Sequence, residues 1–177
     1  MAMTEYVAFL RGVNVGGRAV KMAELKSCLE SAGLQDVQTI VQSGNVIFES
    51  PETSTAELKK QIEVILLQTF GFTVKVQVLT RDALAKIVAA NPFTDAGDTK
   101  HQYVIFMENG LEKDLCGQAE GLDSQQEAVE CGQGVVYWKV DKDSTLQSNF
   151  AKYLTKAKYK DFNTNRNVST LQKMLNP

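Results

Sequence analysis

One short pattern occurs twice in this chain, and that repetition limits the folds open to it. The apolar run Tyr6-Val7-Ala8-Phe9-Leu10 returns as Tyr103-Val104-Ile105-Phe106-Met107. The strand–glycine–strand stretch from Val41 to Phe48 returns as Val129 to Tyr137. Between the members of each pair lies a helical pattern, which is shorter in the second copy, about Leu111–Ala119. An internal duplication accounts for this order; chance recurrence of a common strand–turn–strand pattern is the alternative. With 177 residues to divide, duplication predicts two small domains, residues 1–80 and 81–177.

The first copy is the clearer one. Tyr6–Leu10 reads as a buried strand. From Lys21 to Ala32, Met22, Leu25, Leu29 and Ala32 recur on one helical face, and Gly33 is a stop signal. Val37–Val41 and Asn45–Glu49 flank a Ser43-Gly44 turn, the signature of a hairpin closed by Pro51. Ser54-Thr55-Ala56-Glu57 reads as a capping box. It opens a helix with Leu58, Ile62, Ile65, Leu66 and Phe70 inward and Gly71 at its end. Val74, Val76 and Val78 then alternate with Lys75 and Gln77 as a strand with one covered face. The order is βαββαβ, the split βαβ or ferredoxin-like arrangement.

After a helix at Arg81–Ala90, ended by Asn91-Pro92, and a loop over 92–100, the second copy begins. Ser144 leads into a helix expected to bury Leu146, Phe150, Tyr153 and Leu154. Residues 163–167 are polar, and Val168–Leu175 is a short helix pattern capped by Asn167 or Thr164. No fourth strand stands out in this half; the 81–90 helix or an extended 158–163 segment is left to complete it. The fold class is therefore α+β, with two ferredoxin-like (alpha-beta plait) subdomains from an internal duplication, the second divergent.

Apolar residues make up 44% and charged residues 23% of the chain, values that suit a soluble globular protein. A net charge of -2 argues against a general polyanion binder while leaving room for a local basic patch. Cys28, Cys116 and Cys131 are odd in number and contain no C-x-x-C pair, so they suggest neither a disulfide framework nor a zinc site, but small buried thiols. The N-terminus lacks a basic stretch followed by an apolar run, and no apolar stretch approaches ~18 residues. A cytoplasmic location, with no membrane contact, is the expectation.

The stretches YVAFLRGVNVGGRAVKMAELKSCLESAG, QSGNVIFES and TNRNVSTLQKM together resemble one bacterial family, the domain of unknown function 1697. The similarity covers nearly the whole chain. The resemblance implies two ferredoxin-like halves and no established activity. Two positions depart from the family's habit. Val168 follows T-x-R-N where the family has Trp, and Ser148-Asn149 stands where Ser-Lys is usual. If those positions touch a ligand, this member holds it differently.

The motif with most chemistry is Arg11-Gly12-Val13-Asn14-Val15-Gly16-Gly17-Arg18. In a βαββαβ unit the loop leaving the first strand and the turn leaving the second lie at the same end of the sheet. Arg11, Asn14, Arg18, Ser43 and Asn45 can then converge. Gly16 and Gly17 are expected to offer N–H groups just before a helix N-terminus, which favours an anion. Arg11 and Arg18 could clamp a phosphate or carboxylate. The competing reading is that the glycines and Asn14 only shape a tight loop and Arg11 pairs internally. The motif is neither a dinucleotide fingerprint nor a P-loop. Arg166, with Thr164 and Asn167, is a second candidate anion contact, against the alternative of an exposed Arg beside an N-cap.

Three classes of function follow. A binding module for a small anionic ligand ranks first. Single-stranded nucleic-acid binding across a ferredoxin-like sheet ranks second. It would use Tyr6 or Phe9, without an RNP-like run and against a negative net charge. A metal-independent enzyme ranks third, since the single His101 has no nucleophile or acid pattern around it and no general base is identifiable. No cofactor and no metal is expected, the catalytic residues are unknown, and the oligomeric state is left open.

Overall fold

The computed structural model describes residues 2–41, 44–94, 97–120, 122 and 125–177. The first apolar run forms strand β1 (Thr4–Leu10), buried from Tyr6 onward. It is followed by helix α1 (Met22–Ser31), strands β2 (Gln35–Ile40) and β3 (Asn45–Ser50), helix α2 (Thr55–Phe70), strand β4 (Val76–Thr80) and helix α3 (Arg81–Ala89). The second series is β5 (Lys100–Met107), α4 (Glu112–Gly117), β6 (Glu127–Cys131), β7 (Val135–Asp141), α5 (Asn149–Leu154), β8 (Asn163–Asn167) and α6 (Val168–Leu175). The chain divides into two compact units, Met1–Ala85 with Lys173–Pro177, and Lys86–Gln172.

Each unit holds a four-stranded sheet, ordered β2-β3-β1-β4 in the first and β6-β7-β5-β8 in the second. Every neighbouring pair is antiparallel. Replacing β1–β4 by β5–β8 turns one order into the other, so the two halves are alike. In the first unit α1 and α2 cover one sheet face: Leu25, Leu29, Leu58, Ile62 and Leu66 pack on Tyr6, Ala8, Val46, Phe48, Val76 and Val78. In the second, Leu115, Phe150 and Leu154 pack on Ile105, Val136, Trp138 and Val140. Full burial of one Leu or Phe side chain contributes ~1.5–3 kcal/mol, so these clusters dominate each unit's stability.

Local signals hold where the chemistry is local. Ser54 caps α2 by accepting from the Glu57 N–H at 3.2 Å. The reciprocal arm of the capping box is replaced, because Glu52 accepts from the Ser54 N–H at 2.8 Å. Gly71 ends α2 in the left-handed region.

Three expectations are corrected. The second sheet does have a fourth strand: β8 is the polar run Asn163–Asn167, paired from Met107↔Asn163 to Tyr103↔Asn167. It shows no apolar alternation because only Thr164 is buried. Its start is held by amide chemistry instead, with Asn163 Nδ2 donating to the carbonyls of Leu154 and Tyr159 at 3.3 and 2.8 Å. Leu146 does not face inward but is 92% exposed. The helix starts only after Ser148, which caps α5 by accepting from the Ala151 N–H at 3.0 Å. Cys116 and Cys131 are not separate thiols but are joined in a disulfide, Cα–Cα 5.9 Å, while Cys28 stays free and half-buried. Burial pushes the Cys28 thiol up from its ordinary value.

The second unit also carries a polar pair between buried Tyr159 and exposed Asp114. The Tyr159 hydroxyl donates to the Asp114 carboxylate, which Lys158 contacts at 2.8 Å. Hydrogen bonds from Lys158 and then Tyr159 hold the Asp114 carboxyl below its ordinary range. Burial, with the Asp114 charge beside it, pushes the Tyr159 phenol up to about 12.

Candidate functional site

The strand order fixes which loops meet in the first unit. β1 ends where β3 begins, Phe9 facing Asn45, and where β4 begins, Leu10 facing Val76. The Leu10 N–H donates to the Gly44 carbonyl at 2.8 Å, and the Arg11 N–H to the Lys75 carbonyl at 2.9 Å. Three segments therefore share this end: the long loop 11–21, the β2–β3 turn, and the approach to β4 at 71–75. Ser43, one of the expected site residues, lies outside the described residues.

The long loop is built by its own residues. Asn14 adopts φ +57 and its Oδ1 accepts from the Val20 N–H at 2.9 Å. The Asn14 N–H donates to the Arg18 carbonyl at 2.7 Å, and the Arg18 N–H to the Val15 carbonyl at 3.1 Å. Gly16 and Gly17 form the centre of that turn at φ +57 and +81. Positive φ at both central positions is the pattern of a type I′ hairpin turn, which favours Gly-Gly. The expectation that the glycines stand just before a helix N-terminus is thereby corrected. The helix begins at Met22, with Lys21 at its cap and no side-chain cap bond. Gly16 and Gly17 are the exposed tip of a small hairpin.

The charged groups differ in freedom. Arg18 is exposed, its guanidinium 5.6 Å from the centre of the Phe72 ring and beside Gly12. Arg11 is half-buried, and Arg11, Asn14 and Asn45 are each engaged by further interactions within the fold. Asn45 is fully buried and its Nδ2 donates to the Ile40 carbonyl at 3.1 Å, so it finishes the hairpin rather than facing solvent. Two cations that the sequence reading passed over, Lys21 and Lys75, are exposed in the same three segments. No acidic residue occurs in 11–23 or in 71–80. Glu63, from α2, reaches this edge, where its Oε1 accepts from the Val76 N–H at 3.0 Å and its charge offsets part of the cationic cluster. The strand order was the signal that could have found Lys75, because an antiparallel β4 must enter where β1 leaves.

Arg166 belongs to the second unit. It sits on β8 opposite Val104, half-buried, with Nη1 donating to the Asn165 carbonyl at 2.9 Å and further interactions besides. The cap of α6 is Asn167, whose Oδ1 accepts from the Ser169 N–H at 2.9 Å. Among the described residues no group of His, Cys, Asp or Glu is placed to hold a metal ion. No described helix is long and apolar enough to cross a membrane.

The chain matches the model of the family described as "Protein of unknown function (DUF1697)" over residues 3–137. No curated protein matches it. Among solved structures it is similar to the conserved bacterial protein SP0830 from Streptococcus pneumoniae, at 29% identity and a TM-score of 0.81, covering 99% of this chain and 98% of the other.

Proposed function

Because the chain belongs to the DUF1697 family, whose function is unknown, we propose a role from its geometry: it is a binding module for a small ligand bearing a phosphate or carboxylate. The site is the loop end of the first sheet. One observation carries the reading. Three segments that the strand order brings together carry Arg11, Arg18, Lys21 and Lys75 and no acid. Clustered cations of one sign around exposed backbone N–H groups attract an anion. Arg18, spread over an aromatic ring, suits planar oxyanions better than a lysine would. We also read each half as a ferredoxin-like plait; the strand order and the helices on one face of each sheet support this.

The nucleic-acid alternative loses its platform. Tyr6 lies in the core, stacked on Phe48 with centroids 5.5 Å apart, and Phe9 is fully buried. Neither ring can stack on a base.

Arg18 supplies the test. Titrating inorganic phosphate, nucleoside monophosphates and citrate by calorimetry should give a saturable signal with one of them. Arg18→Ala should weaken it by about ten- to a hundredfold, the worth of one charge-assisted hydrogen bond. The fold should lose no more than about 1 kcal/mol with the exposed cation–aromatic contact. An affinity that is the same in wild type, Arg18→Ala and Lys21→Ala, or no binding at millimolar concentrations, would remove the site from this end.

A further inference from the structure

A cleft of about 600 Å³ opens in the second unit, lined by none of the residues discussed for the first. That volume lies within the range of small-molecule sites, roughly 300–1,000 Å³. Its polar lining includes Asn91, Lys100, His101, Gln102, Lys142 and Ser169, with Val88 and Phe93 among its apolar walls. We infer that this cleft is a second ligand site, taking a small molecule with one carboxylate or phosphate group and an apolar body.

The sign of the charge and the hydrogen-bond inventory both select an anion. Among the described residues no acid lines the cleft. The carboxylate next to it, Asp141, is held by Lys100 at 2.5 Å, which cancels one charge of each sign. Among the described lining residues Lys142 is left as the uncompensated charge, so their balance favours an anion. Asn91 Nδ2 donates to Gln102 Oε1 at 2.7 Å, and Asn91 Oδ1 accepts from the Phe93 N–H at 3.1 Å. With its oxygen committed, Gln102 has its amide NH₂ to offer. The His101 ring leaves the opposite face of β5 from Gln102, 5.7 Å from the Tyr103 ring, while the ammonium of Lys142 and the amide of Gln102 are donors. A ligand that meets them must bring acceptors. Helix α6 starts in the same wall, but its Ser169 N–H is taken by Asn167. It adds a favourable field and not an open donor.

His101 is the only histidine in the chain, so its ring signal in a proton–carbon NMR spectrum of untagged, carbon-13-labelled protein needs no assignment. It reports on this cleft alone. Inorganic phosphate, citrate and a nucleoside monophosphate are titrated at constant ionic strength, with sodium chloride as the control. The expected result is a saturable movement of the His101 signal with at least one probe and none with chloride. Lys142→Gln should weaken that binding about ten- to a hundredfold. Gln102→Leu should weaken it as well, with Lys142 intact. Arg18→Ala should leave the His101 titration unchanged, which separates this site from the one in the first unit. A His101 signal that no probe moves saturably, or one that titrates identically in wild type, Lys142→Gln and Gln102→Leu, would overturn the inference.

Discussion

At the scale of single residues the two glycine positions around the loop end make different demands. Gly44 has φ +78, and a Cβ there would lie 2.8 Å from Leu10 Cβ and 2.9 Å from Val13 Cγ2. Gly17 has φ +81 with open space around it. Gly17→Ala should therefore cost only the left-handed backbone, about 1–2 kcal/mol. Gly44→Ala should add overpacking to that, for about 2–5 kcal/mol in total. Urea unfolding of the two variants checks the difference, and equal losses would mean that Gly44 is not pressed between β1 and the loop. Asn14 was legible in the sequence because the bond it makes is to the chain a few residues on. Asn45 was not legible as a buried residue. Its burial depends on β1 and β3 being paired, and a turn sequence alone carries no record of the strand that will cover it. Arg18 could be read as a cation but not as one spread over Phe72, since those residues meet only when β4 takes its place beside β1.

At the scale of elements, α1 and α4 hold equivalent places but are secured differently. α1 has ten residues and buries Leu25 and Leu29; α4 has six and buries only Leu115. A helix that short is not stable by itself. The disulfide from Cys116, in α4, to Cys131, at the end of β6, ties it down across a separation of 15 residues. Closing a loop of that length is worth about 3 kcal/mol through the unfolded chain. Reduction, or Cys116→Ser with Cys131→Ser, should lower the unfolding free energy by about that amount. Denaturant curves with and without reductant measure it, with thiol titration rising from one to three groups. An unchanged midpoint with three thiols titrating would show that the bond does not secure α4. The cysteine spacing gave no hint of this pair, because what joins them is the packing of α4 beside β6. β8 escaped for a related reason. Its residues pair through the backbone with β5, and an Asn-rich strand leaves none of the alternation by which β1, β3 and β4 could be read.

At the scale of the whole molecule, the likeness of the two halves was legible because each repeats its most buried strands, and buried strands are where composition is most restricted. Charge distribution is the other property that belongs to this scale. The net charge is -2, yet the three segments that meet at one end of the first sheet carry four cations and no acid of their own. A surface of that kind can take one anionic group without holding a polyanion. Labelled random single-stranded RNA should therefore show little binding by fluorescence anisotropy at physiological salt. At low salt, any binding should be limited by those four cations. Each neutralised phosphate on a single strand contributes about -0.7 to the slope of log affinity against log salt, so four give about -3 at most. A saturable isotherm with a clearly steeper slope would require more phosphate contacts than the loop end contains. It would mean a second basic surface at work, and would raise nucleic acid above the anion-binding reading. A shallow slope that disappears in Arg18→Ala would instead tie the residual affinity to the loop end, through phosphate alone, because the sheet rings Tyr6 and Phe9 are buried and cannot read a base.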